Sequence, residues 1–114
     1  MATQQLNTFK TVTANLTTED TLFYTAPTRK SAIFLAVNAA NITEANLTTV
    51  NFYHANSANV KTAMVKNFKI PAGDAMSIIS AGSKLVLESG QSIFASANAN
   101  NSVQLVMSVL ESVN

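Results

Sequence analysis

Side chains able to do chemistry are few in this sequence. His54 is the only histidine. A nucleophilic triad would need it as base between a serine and an acid, and Asp20 and Asp74 are the acids considered for that role or for a pair of glycosidic carboxylates. Nothing in their spacing brings them together, and the chain has no tryptophan to stack a sugar. The absence of cysteine excludes disulfides, thiolate nucleophiles and zinc–cysteine sites. Glu19-Asp20 reads as a solvated turn, since a metal site needs several convergent ligands. The reading is therefore non-enzymatic: no catalytic residue, no cofactor and no metal.

One stretch invites a different reading. "FKIPAGDAMSII" (68–79) holds Pro71, Gly73 and Asp74 within four residues. A phosphate cradle needs a richer glycine pattern opening a helix. Gly73 stands alone, and strand-like residues follow. The stretch reads as a β-turn, with Pro71 at its second position, Gly73 relieving the backbone and Asp74 bonding a nearby amide. "TAPTRKS" (25–31) repeats the device around Pro27. Ala81-Gly82 and Ser89-Gly90 read as two more turns.

The segments between these turns are short and alternate with a period of two, the mark of strands. They are 8–13, with Phe9, Thr11 and Thr13 opposed to Lys10 and Val12; 21–25; 30–39; 50–54; 60–70; 75–79; 84–88; 92–97; and 103–113. Residues 40–49 read as a long loop with room for one helical turn capped by Thr43, and 55–59 and 98–101 as polar turns. Eight or nine strands at this spacing predict an all-β fold, an antiparallel β-sandwich of jelly-roll or immunoglobulin-like type. All 114 residues form one domain, with 1–7 as an extended N-terminal arm that lacks the basic and apolar regions of a secretion signal.

Composition narrows the class. Hydrophobic residues make up 47% of the chain and charged residues 11%, against about 25% charged in ordinary soluble domains. The seven basic residues are dispersed and the formal net charge is +1, so no nucleic-acid face is expected. No apolar run reaches the roughly 20 residues of a membrane helix. A surface of Asn, Thr and Ser costs little to desolvate and suits contact with neighbouring subunits.

Two strands sharpen that point. In 30–39, Ile33, Leu35 and Val37 alternate with Ala32, Phe34 and Ala36, so both faces are apolar. In 103–113, Val106 and Leu110 oppose Leu105, Met107 and Val109. A sandwich buries one face of each sheet. The expectation is that Ala32, Phe34, Ala36, Val106 and Leu110 form a subunit interface, in a homo-oligomer closed by symmetry.

"LFYTAPTRKSAIFLAVNAAN" and "VKNFKIPAGDAMSIISAGSKLVLESGQSIFASANANNSVQLVMSVLE" resemble, in content and order, small virion structural proteins of tailed bacteriophages, particularly marine and cyanobacterial ones. The resemblance covers roughly residues 20 to 112 and rests on turns and core strands. It implies a β-sandwich of the decoration or tail-accessory type, with a trimer favoured, located on the virion after assembly in the host cytoplasm. Its partners would be major capsid or tail proteins, with no nucleic acid and no membrane involved. The alternative is a tail-tip or fibre module binding a receptor or glycan, with loop 40–49 and hairpin 55–59 forming the binding end.

Overall fold

The computed structural model describes residues 7–79 and 84–113, which form nine strands and no helix. They are β1 (Asn7–Asn15), β2 (Thr21–Thr25), β3 (Lys30–Asn41), β4 (Thr48–Ala55), β5 (Lys61–Ile70), β6 (Ala75–Ile79), β7 (Leu85–Leu87), β8 (Ser92–Ala97) and β9 (Val103–Val113). Residues 1–6 of the expected arm and the turn at Gly82 lie outside the described residues, and Asn7 is already part of β1.

The strands divide into two antiparallel sheets. The larger runs β1-β9-β3, and then β6 and β7 share the far edge of β3; the smaller runs β2-β8-β4-β5. Most successive strands switch sheets, and β4–β5 closes the hairpin within the smaller one. This order is that of a jelly roll, a double-sheet architecture of two Greek keys. It excludes the immunoglobulin-like option, whose sheets take a different order.

The core lies between the sheets. Val103, Leu105, Met107 and Val109 of β9 meet Val50 and Phe52 of β4 and Ile93, Ala95 and Ala97 of β8. Phe34 from β3 is fully buried, and Tyr24 packs edge-on against it with ring centroids 5.3 Å apart. The alanines let the layers approach closely, while Phe34 and Phe52 fill the remaining volume.

A β-bulge resets β3. Phe34 pairs with Val109 and Ala36 pairs with the next residue back, Ser108, leaving Leu35 as the extra residue. Before the bulge, Ala32 and Phe34 point inward; after it, Val37 and Ala39 do. The strict alternation read from sequence therefore fails at Leu35, because a bulge inverts every later side chain. Two irregularities likewise break the alternation of β5 against β4. Val65 pairs with the core residue Phe52, whereas Met64, expected on the face of Phe68 and Ile70, stands at a bulge and is exposed.

Both proline turns share one geometry. The Asp74 amide donates to the Pro71 carbonyl and the Lys30 amide to the Pro27 carbonyl, so each proline opens its turn instead of occupying the second position. The third position is left-handed in both, with φ +72° at Gly73 and +66° at Arg29. The reason is visible at Asn41, whose carbonyl accepts from the Gly73 amide and whose amide donates to the Asp74 carbonyl. That docking on the end of β3 places Ala72 and Gly73, not Pro71, at the apex.

Candidate functional site

The residues weighed for catalysis are each engaged separately. His54 Nε2 lies 3.2 Å from Gln91 Oε1. Asp20 forms an ion pair with Lys61 at 3.7 Å. Asp74 Oδ1 accepts from the Ala75 amide, 2.8 Å away, within its own turn. Among the described residues no group of three or more His, Cys, Asp or Glu side chains is placed to hold a metal.

The two loops expected to form one binding end are at opposite ends of β4. The β3–β4 loop precedes Thr48 and the β4–β5 hairpin follows Ala55, so eight residues of strand hold them about 25 Å apart at the usual rise per residue. The β3–β4 loop also contains no helical turn. Asn41 is buried, and its Nδ2 donates to the Asn46 and Ile70 carbonyls while its Oδ1 accepts from the Thr43 amide. These bonds take up the polar groups that helix formation would have used.

The outer faces of the two sheets differ in chemistry. On the smaller sheet, aromatic residues are covered by lysines. Lys61 Nζ stands 4.8 Å over the Phe94 ring, and Lys66 Nζ lies 3.0 Å from the Tyr53 hydroxyl. On the larger sheet, no outward-pointing strand residue among the described residues is charged. Phe9 pairs with Leu110, Leu110 with Ile33, and Ile33 with Val86, making one apolar row across β1, β9, β3 and β7. Phe9 is 73% exposed and Val86 53%. Beside this row run Thr11, Ser108 and Ala36, and then Thr13, Val106 and Asn38. Lys10 and Glu111, adjacent to Phe9 and Leu110 in sequence, pair with each other on the inner side, and the exposed Lys84 and Glu88 flank β7.

This distribution divides the expected interface residues. Ala36, Val106 and Leu110 are on the outer face. Ala32 and Phe34 are fully buried between the sheets and are core, because the bulge at Leu35 separates them from Ala36. Phe9, Ile33 and Val86 complete the row and were not singled out from sequence. Their signal was parity: Phe9 opposes Lys10 and Val12 in β1, and Val12 packs against the core.

A second feature passed over in the sequence is Glu111. It continues the inward row of β9 beyond Val109 and is 1% exposed. The Tyr24 hydroxyl donates to its Oε2, Lys10 Nζ is 3.0 Å from Oε1, and Lys30 Nζ is 3.9 Å from the same oxygen. Burial pushes the carboxyl up, but Tyr24, Lys10 and Lys30 together outweigh it and hold Glu111 below the usual carboxylate range. Burial, then Glu111, pushes the Tyr24 hydroxyl well above the ordinary tyrosine value. The cluster has a cation at each side, Lys10 on β1 and Lys30 on β3, so the buried carboxylate is paired.

No protein-family model matches the chain, and no curated protein matches it. Among solved structures it is similar to a Bacillus endospore appendage, of a family of disulfide-linked pili. That similarity has a TM-score of 0.54 at 11% identity and covers 99% of this chain and 94% of the other. The likeness is one of fold. VP2 of the infectious bursal disease virus subviral particle matches with a TM-score of 0.34 at 10% identity, covering 95% of this chain and 41% of that one, too loosely to carry an argument.

Proposed function

We propose that the chain is a non-enzymatic structural subunit of an assembled particle and, in the finer reading, a tailed-bacteriophage virion protein that decorates or stabilises the capsid or tail. The observation that carries the structural reading is the uncharged outer face of the larger sheet, with its apolar row from Phe9 to Val86. Contiguous exposed apolar surface of this kind marks contact sites. The phage assignment rests on the resemblance over residues 20 to 112. The endospore pili supply a precedent for this fold in a polymer, but this chain has no cysteine, so its own contacts would be non-covalent.

Quantitative mass spectrometry of particles purified from the source that encodes the chain tests the proposal. A fixed copy number per particle is expected, high for a head protein and low for a tail protein. Abundance in the infected-cell lysate with absence from particles overturns it.

A further inference from the structure

We infer that the outer face of the larger sheet pairs with the same face of a second copy of this chain, forming a two-fold dimer. The inference rests on the structural reading above and names the first contact in such an assembly.

Charge selects the partner. The strands of this face present no Asp, Glu, Lys or Arg, Lys84 and Glu88 only flanking β7 at its edge, so a charge brought against its centre would be buried unpaired, which is costly. The occupant is therefore an uncharged surface. The other broad face of this molecule does not qualify, because Lys61 and Lys66 lie across its aromatic residues. Stacking the larger sheet on the smaller one would bury both lysines against Thr, Ser and apolar groups. Pairing like with like avoids this, and a surface that pairs with itself closes at two copies. Two-fold pairing thus takes the place of the three-fold ring that the resemblance implies.

The row fits its own reverse. A two-fold axis along the strands, between β9 and β3, lays Phe9 opposite the partner subunit's Val86 and Leu110 opposite the partner subunit's Ile33. The largest, most protruding side chain then meets the shortest member of the row. Of the flanking residues, Thr11, Ser108 and Ala36 are small, and the half-buried Leu35 of the bulge lies with Thr11 and Ser108 beside Phe9. Four strands and about nine residues of length give a face of roughly 19 by 30 Å. That is the same order as the about 800 Å² that each partner buries in a standard interface.

The experiment is light scattering and sedimentation on the full chain over a range of concentration, with particle incorporation measured separately. The wild type is expected to be a dimer. Phe9→Lys and Val86→Glu should each weaken it about tenfold or more, as loss of a central anchor does, and should lower thermal melts only by the dimer's share of the stability, because both side chains are exposed in the single chain. Mixing the two single variants should restore dimers, since the introduced lysine then faces the introduced glutamate. A trimer, or a dimer indifferent to both substitutions, overturns the pairing. A wild type that stays monomeric yet enters particles also overturns it and leaves the structural reading standing. A dimer absent from all particles removes the structural reading and leaves the pairing intact.

Discussion

Lys10 on β1 stands diagonally across from Glu111 on β9, inside the sandwich, on the side of β1 opposite to Phe9. Lys10 pairs with Val109, two residues before Glu111, and its Nζ reaches Oε1 at 3.0 Å. A slip of one residue in β1 would turn Phe9 into the core and Lys10 outward. Burial of Phe9 would favour that slip, whereas Val12 and Ala14, which pack against the core, would be turned out by it. The buried carboxylate opposes it, because the slip would remove its nearest cation.

Lys10→Met is therefore expected to destabilise more than Glu111→Gln. The first leaves a buried carboxylate without its closest cation, a loss of about 2 kcal/mol after discounting for the half-exposed lysine. The second removes the charge itself and frees a lysine that is already 48% exposed, at about 1 kcal/mol. The double variant Lys10→Met with Glu111→Met should recover most of the stability while loosening the register. Urea melts give the energies, and a second set of β1 amide resonances reports the slip. A double variant with one sharp set of native-like resonances would show that the pair does not set the register.

The same cluster predicts pH dependence. Glu111 is held below its ordinary range, so the folded state binds its proton less readily than the unfolded chain. Its contribution is complete above the unfolded value of about 4.3 and is lost as pH falls from there through the lower folded value. Tyr24 behaves in the opposite sense. Its folded value is raised, so its contribution is complete below about pH 10 and declines as pH rises above that. Melting temperatures from pH 7 to 2 should fall less steeply in Glu111→Gln than in wild type. Parallel curves would remove Glu111 from the acid response.

The bulge at Leu35 separates two residues that sequence parity had joined. Phe34→Ala should cost about 3–5 kcal/mol, the usual loss for a large buried ring. Ala36→Ser, on the outer face, should change stability by no more than about 0.5 kcal/mol. Denaturant unfolding of both variants measures the contrast. Similar losses at the two positions would place Ala36 in the core.

Much of this fold was legible because turn chemistry and period-two alternation act locally. β2, β6, β8 and β9 have the bounds expected from sequence. Choice between jelly roll and immunoglobulin-like order was not legible, since strand pairing is non-local. The proposed interface was half legible. Val106 and Leu110 follow from the unbroken alternation of β9, whereas in β3 both faces are apolar, so parity does not say that Ala32 and Phe34 are core, and no residue type announces the extra Leu35 that turns Ala36 outward. Glu111 and Phe9 were legible by parity alone, against their polarity. A buried Glu and an outward Phe make sense only once Lys10, Lys30 and Tyr24 are seen around one carboxylate.

The two proline turns allow a matched comparison. Gly73 and Arg29 both occupy the left-handed third position, at φ +72° and +66°. Glycine adopts that region without steric cost, whereas a residue with a Cβ loses about 1–2 kcal/mol there. Space does not distinguish the exchange at Gly73, since a Cβ built there meets nothing within 4 Å, so backbone strain alone sets its cost. Gly73→Ala is expected to destabilise by about 1 kcal/mol. Arg29→Gly should stabilise by somewhat less than that, because glycine also gains entropy in the unfolded chain. Arg29 is exposed, so its loss removes little packing. Thermal and urea melts of the two single variants should shift in opposite directions. A destabilising Arg29→Gly would mean that the guanidinium, not the backbone, holds the turn from Pro27 to Lys30.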